Sequence, residues 1–325
     1  MASRGDSSRV YKAWHHVLAL LSAALLMAFG WSFFRLPQAN LLLVTFCFLA
    51  VSVLYGVPDW KKRFFLLLRM ACAAAVLQFL VGICREYKLL LVLLPALCSL
   101  VILHAMPGRG AGCAMCIAGF LAFSAPGGWM PAVDRAFGIL IGIPIVMAVT
   151  AIFHSSAPEP SGFYQPFSLR DAFALSFLLG LGIWISEALK MAQGVWIMLT
   201  VLFICQFAYA SGDYAEASLE RLVATPAGLL CGGLLMGTLT SFDYRCVYLL
   251  PLIGALGFFF LYERNSFFLF TLLFMTAFSM FADWATGDGR NFNFAELLFW
   301  RSAATCIGAL LMFLYGKFSH SEVTA

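Results

Sequence analysis

The chain has 325 residues, of which 62% are hydrophobic and only 11% charged, with a formal net charge of +4 and a mean hydropathy of +0.92. Ordinary soluble proteins carry about 25% charged residues, and no soluble core hides this much apolar surface, whereas lipid accepts it. The composition therefore excludes a soluble enzyme, and no basic run is long enough to suggest a nucleic-acid partner.

Twelve apolar segments follow in chain order. In the first half they cover 13–34, 39–56, 63–83, 88–105, 110–124 and 134–154. In the second half they cover 169–190, 194–210, 218–240, 246–262, 266–282 and 297–317. Most reach helix-spanning length, and none shows the alternating polarity of barrel strands. The first follows Arg4, Arg9 and Lys12 and imitates a signal peptide, but it is too long and exits through Gly30-Trp31-Ser32-Phe33-Phe34 rather than a small-residue cleavage site. It reads as a retained helix. The 110–124 and 266–282 segments are short for a full crossing. The polar stretch from Ser155 to Arg170, with Pro158, Glu159, Pro160, Ser161 and Gly162, divides the chain into 1–157 and 158–325, six segments each. The expected fold is an all-α polytopic membrane protein of about twelve transmembrane helices in two six-helix repeats, with no soluble domain.

Lys and Arg in short loops set orientation. With both termini cytoplasmic, twelve of the 20 basic residues fall inside, among them Arg4, Arg9, Lys12, Lys61, Lys62, Arg63 and Arg69. Nearly all ten cysteines lie in or beside apolar runs, where thiols act as small hydrophobes. Cys113-x-x-Cys116 has metal or redox spacing, but it sits in an apolar segment with no second pair and no clustered histidine.

The two halves resemble each other. Leu36-Pro37-Gln38-Ala39 with Thr45 aligns without gaps to Met191-Ala192-Gln193-Gly194 with Thr200. A helix-start pattern R-x3-T-x2-G then recurs: Arg221, Thr225 and Gly228 in the ninth segment, and Arg301, Thr305 and Gly308 in the twelfth. Arg135, Ile139 and Gly142 follow it in the sixth, and Arg69 with Ala73 follows it weakly in the third. Positions 0, 4 and 7 share one helical face. If every segment spans, the pattern occurs in both orientations within each half, as in transporters with inverted repeats, here of three helices each. An arginine near a helix end also snorkels to headgroups without further function, but a guanidinium fork is the natural partner of a carboxylate.

Other polar residues carry two readings each. Glu187 lies three residues before Lys190 and is either its ion-pair partner or a proton-coupling carboxylate. Gln206, and more weakly Gln78, bonds a neighbour or a substrate. Trp196 and Tyr209 stand near segment ends, where aromatic belts occur anyway, but both suit stacking on an aromatic substrate. Asp283 opens a loop with Asp288, Arg290 and Glu296 that reads as solvated. His15, His16, His104 and His154 are scattered. The sequence has no catalytic motif and no phosphate-binding loop, and its histidines have no metal-ligand spacing, so no cofactor, metal or catalytic residue is expected.

The series Trp196, Thr200, Gln206, Tyr209 and Gly212, followed by Glu220-Arg221-Leu222-Val223-Ala224-Thr225-Pro226-Ala227-Gly228, resembles the fusaric acid resistance (FUSC-type) proteins, which include aromatic acid exporters. Those show a Trp, Thr, Gln, Tyr and Gly series and then R-x-x-G-T-x-x-G; here Ala224 stands where they have the glycine before the threonine. Arg301, Thr305 and Gly308 resemble their second arginine helix. The resemblance covers about residues 170–317 and, faintly, the first half. Plant malate channels of the aluminium-activated type are distant relatives of the same membrane module. The resemblance implies export of organic, often aromatic, carboxylic acids across a bacterial inner membrane, frequently with a periplasmic adaptor protein. The large cytoplasmic domains of many members have no counterpart in these residues.

The leading expectation is a secondary transporter in which Arg221, Arg301, Arg69 and Arg135 engage the anion. Trp196, Gln206, Tyr209, Thr225 and Thr305 complete the substrate site, and Glu187 couples protons. A homo-oligomer is compatible with it. The alternatives are a small-anion channel or a non-transporting membrane subunit of an envelope complex.

Overall fold

The computed structural model describes residues 59–124, 127–153, 166–208, 213–242, 266–276 and 294–321, with isolated residues between 17 and 57 and between 253 and 260. Among the described residues the secondary structure is helical, with no strand. In chain order the elements are α1 (Trp60–Cys84), α2 (Lys88–Ala105), α3 (Arg109–Phe120), α4 (Trp129–Ile152), α5 (Leu169–Ala188), α6 (Val195–Ala208), α7 (Tyr214–Phe242), α8 (Phe267–Phe274) and α9 (Phe294–Ser321). They coincide with the third to ninth, eleventh and twelfth apolar segments. The segments at 13–34, 39–56 and 246–262 lie largely outside the described residues, as does Tyr209.

Local chemistry explains where the helices begin. Asp59 accepts from the Lys61 amide ahead of α1, Ser168 from Asp171 ahead of α5, Asp213 from Ala215 and Glu216 ahead of α7, and Ser266 from Leu269 ahead of α8. Each is a short polar side chain satisfying amides that the helix itself cannot reach. Past these caps the sequence is apolar on every face, so lipid and neighbouring helices divide the surface between them.

Among the described residues, six helices are long and apolar enough to cross a membrane: α1, α2, α4, α5, α7 and α9. The helices α3 and α6 are shorter, at 12 and 14 residues. At about 1.5 Å per residue they extend ~18–21 Å, less than the ~30 Å hydrocarbon core. They are also the innermost: every described side chain of α3 from Gly110 to Phe120 and of α6 from Val195 to Gln206 is buried. The other helices pack around this pair. The helix α1 lies on α4, α2 on α5, and α7 and α6 both lie on α9, while α3 contacts α6.

Close approaches fix the directions. Within the first half, Arg63 near the start of α1 donates to the Thr150 carbonyl near the end of α4, and Gly82 near the end of α1 faces Ala132 near the start of α4. Within the second half, Gly316 faces Tyr214 while Gly233 faces Phe294. Both pairs, α1 with α4 and α7 with α9, are therefore antiparallel.

Candidate functional site

The geometry gathers around one face of α6. Trp196, Thr200 and Phe203 stand at positions 0, 4 and 7, which places them on one side of the helix. All three are buried. Across from them come the two R-x3-T-x2-G helices, and Arg221, Arg301, Thr225 and Thr305 are fully buried. The Arg301 guanidinium lies 4.3 Å from the Trp196 ring centroid and its Nη2 donates to Gln193 Oε1 at 3.4 Å. The Arg221 guanidinium lies 4.9 Å from the Phe203 centroid and its Nη1 donates to Thr271 Oγ1 at 3.3 Å. Cation–π contact with an aromatic face stabilises a desolvated guanidinium. Phe203 is held in turn by Phe270 and Phe274 of α8, with centroids at 6.4 and 5.6 Å.

The glycines of the pattern are what allow these helices to meet. A Cβ on Gly308 would stand 2.7 Å from the Ile197 carbonyl oxygen and 2.8 Å from Thr200 Cβ, on α6. A Cβ on Gly228 would stand 2.6 Å from the Leu272 carbonyl oxygen, on α8. Small residues at these positions let backbones approach closely in a lipid environment.

The antiparallel register of α7 and α9 sets the depths. With Tyr214 beside Gly316 and Gly233 beside Phe294, Thr225 comes level with Thr305, and each arginine comes level with the glycine of the other helix. The two arginines are then offset by seven residues, ~10 Å along the helices. Seven residues also separate their aromatic partners, Trp196 and Phe203. The spans run from Tyr214 to Leu239 and from Phe294 to Lys317, so the threonines sit near mid-span with one arginine toward each end.

Several polar atoms in this wall have no partner. Arg221 Nε and Nη2 make no hydrogen bond, nor do the hydroxyls of Thr200, Thr225 and Thr305 or Gln206 Oε1. Threonines elsewhere in these helices bond back to a preceding carbonyl, as Thr150 does to Val146 and Thr276 does to Leu272, at 2.8 and 2.7 Å. The three in the wall do not. An unsatisfied buried polar group costs about 1–3 kcal/mol, so such a concentration calls for a polar occupant. Nε and Nη2 form one edge of the guanidinium, the edge that receives a carboxylate bidentately.

The remaining predicted residues fall elsewhere. Arg135 is buried at the start of α4 with Nη2 against Gly82 of α1. Arg69 is exposed on α1, and the buried arginine of that helix is Arg63. Glu187 is half-buried near the end of α5 and forms no ion pair with Lys190. Gln78 donates to the Ala118 carbonyl at 2.8 Å, linking α1 to α3. Sequence reasoning did not single out Thr271, whose hydroxyl anchors Arg221. It named Thr200 only in the repeat and the family series, although its spacing from Trp196 and Phe203 is the available signal.

The comparisons with curated proteins and with solved structures yield no match. Residues 181–315 match the family model described as fusaric acid resistance protein-like. That stretch contains α6 to α8, most of α9 and the whole of the wall. With six candidate spans among the described residues, the match supports a multi-pass membrane protein whose residues 181–315 are similar to the fusaric acid resistance proteins.

Proposed function

We propose that the protein is a secondary transporter that exports organic, chiefly aromatic, carboxylic acids across a bacterial inner membrane, with both termini cytoplasmic. The observation that carries this reading is the open Nε–Nη2 edge of Arg221, fully buried within the span with its third nitrogen held by Thr271. A guanidinium fixed in that way is pre-organised for a carboxylate. Arg301, ~10 Å further along, receives the anion next. The hydroxyls of Thr200, Thr225 and Thr305 hydrate it between the two. Trp196 and Phe203 shield the charges from lipid and offer ring faces to an aromatic cargo.

The paired packing of third with sixth and of ninth with twelfth segments supports a twofold-repeated module, in which sites lie near the repeat interface. Arg135 is the first-half counterpart of Arg301. Arg69, exposed on α1, stands apart from the wall and is assigned no part in binding.

The test is growth in the presence of a panel of weak aromatic and aliphatic acids. Cells lacking the protein are compared with cells carrying it and cells carrying Arg221→Gln or Arg221→Lys at equal membrane levels. Resistance to a subset of acids is expected, lost in both variants, because lysine keeps the charge but not the fork. Export unchanged by Arg221→Lys sinks the bidentate site.

A further inference from the structure

The end of the bundle where α3, α5 and α7 begin and α6 and α9 finish carries a second set of charged and aromatic side chains. Arg109, at the start of α3, lies with Nη2 3.6 Å from Asp171 Oδ2, at the start of α5. The Tyr315 hydroxyl, near the end of α9, donates to Asp171 Oδ1 at 3.3 Å. The ring of Tyr315 meets that of Tyr214 edge-on, with centroids 5.7 Å apart. Directly behind this layer are Cys113 of α3 and Cys205 of α6, both buried.

Arg109 repeats the construction of the two wall arginines. Its guanidinium lies 4.9 Å from the Phe167 ring centroid, as Arg221 lies on Phe203 and Arg301 on Trp196. Here, though, a carboxylate is already in place. It is held loosely, because 3.6 Å exceeds the usual length of a charge-assisted hydrogen bond. Asp171 is a third exposed, so water reaches its side of the pair and screens it. A carboxylate arriving from solution therefore displaces Asp171 at small cost. The contacts it breaks are consequential, since Asp171 and Tyr315 join α3 of the first half to α5 and α9 of the second.

We propose that Arg109 is a carboxylate-binding site at the mouth of the pathway, latched by Asp171 and Tyr315, and that an incoming carboxylate opens the mouth by taking Asp171's place. The inference rests on the transport reading given above for its cargo, but its test does not depend on measured export. Asp171 in this account is a tethered stand-in for the cargo, and Tyr315 is a positioning residue that holds the stand-in.

Cys113 supplies the reporter. A chain retaining Cys113 alone, in lipid nanodiscs, is exposed to methanethiosulfonate ethylsulfonate, which is water-borne and anionic. Labelling of the parent is expected to be slow. Asp171→Asn is expected to speed it several-fold, and Tyr315→Phe to speed it by a smaller factor while removing only one hydroxyl. Millimolar benzoate is expected to bring the parent up to the rate of Asp171→Asn and to leave that variant unchanged. Benzamide, neutral and similar in shape, is expected to do nothing, and Arg109→Gln is expected to abolish the benzoate effect. Equal labelling of the parent and both latch variants overturns the latch. Acceleration by benzamide as well as by benzoate overturns the carboxylate site. Opening by benzoate in a protein that exports none of the acid panel upholds the mouth site and sinks the transport reading. Export without any change in labelling does the reverse.

Discussion

At the scale of single residues, the informative atoms are those that form no bond. Thr305 lies near the centre of the wall with its hydroxyl unpartnered, so in the empty protein that hydroxyl is a cost rather than a support. Thr305→Val keeps the shape and removes the cost. It is expected to leave thermal stability in detergent unchanged or raised by up to ~1 kcal/mol, while raising the KM for the exported acid several-fold. A fall in stability with transport intact would show that the hydroxyl serves the fold. The R-x3-T-x2-G pattern was legible in sequence, because arginine and threonine at helical spacing have few reasons to be buried in lipid, and Arg221, Thr225, Arg301 and Thr305 are indeed buried. Arg69 shows where that legibility stops. The buried stripe of α1 runs through Arg63, Leu67, Met70, Ala74, Leu77 and Val81, and Arg69 lies off it. A soluble helix would have marked its inner face by apolar residues. In α1 the lipid-facing side is apolar as well, so composition does not tell the two faces apart.

Among the elements, α3 and α6 set the architecture, being short and enclosed on all sides. The shortness of 110–124 was readable from the polar residues that bound it. The enclosure of α6 was not, since its sequence is as apolar as that of any lipid-facing helix. Its closeness to α9 depends on Gly308, where an added Cβ meets the Ile197 backbone and the short Thr200 side chain. Gly308→Val is expected to cost about 1–3 kcal/mol through overpacking. The loss is read as a lowered melting temperature of the detergent-solubilised protein by fluorescence-detected size exclusion. Gly237 meets nothing within 4 Å, so Gly237→Ala serves as the control and is expected to be silent.

For the whole molecule, apolar runs revealed the order of the segments but not their neighbours, because any lipid-compatible face accepts any other. The two halves meet through two helix pairs: α2 of the first packs on α5 of the second, and α3 packs on α6. Gly180 of α5 lies so close to α2 that its Cβ would stand 3.2 Å from Ala96 Cβ, near the spacing of a disulfide. In a chain otherwise free of cysteine, Ala96→Cys with Gly180→Cys is expected to cross-link on oxidation. With a protease site engineered into residues 155–165, the cut halves should then migrate together until reduced. Separation under non-reducing conditions would refute the packing of α2 on α5.

The ~10 Å offset between Arg221 and Arg301 has an electrical consequence. It covers about a third of the ~30 Å hydrocarbon thickness, so a carboxylate handed from one to the other moves its charge through about a third of the membrane voltage. That displacement amounts to ~0.8 kcal/mol for each 100 mV. In the orientation proposed, with Arg221 nearer a negative cytoplasm, the resting potential itself drives this step outward, and collapsing it with an ionophore should slow efflux even when the proton gradient is held constant.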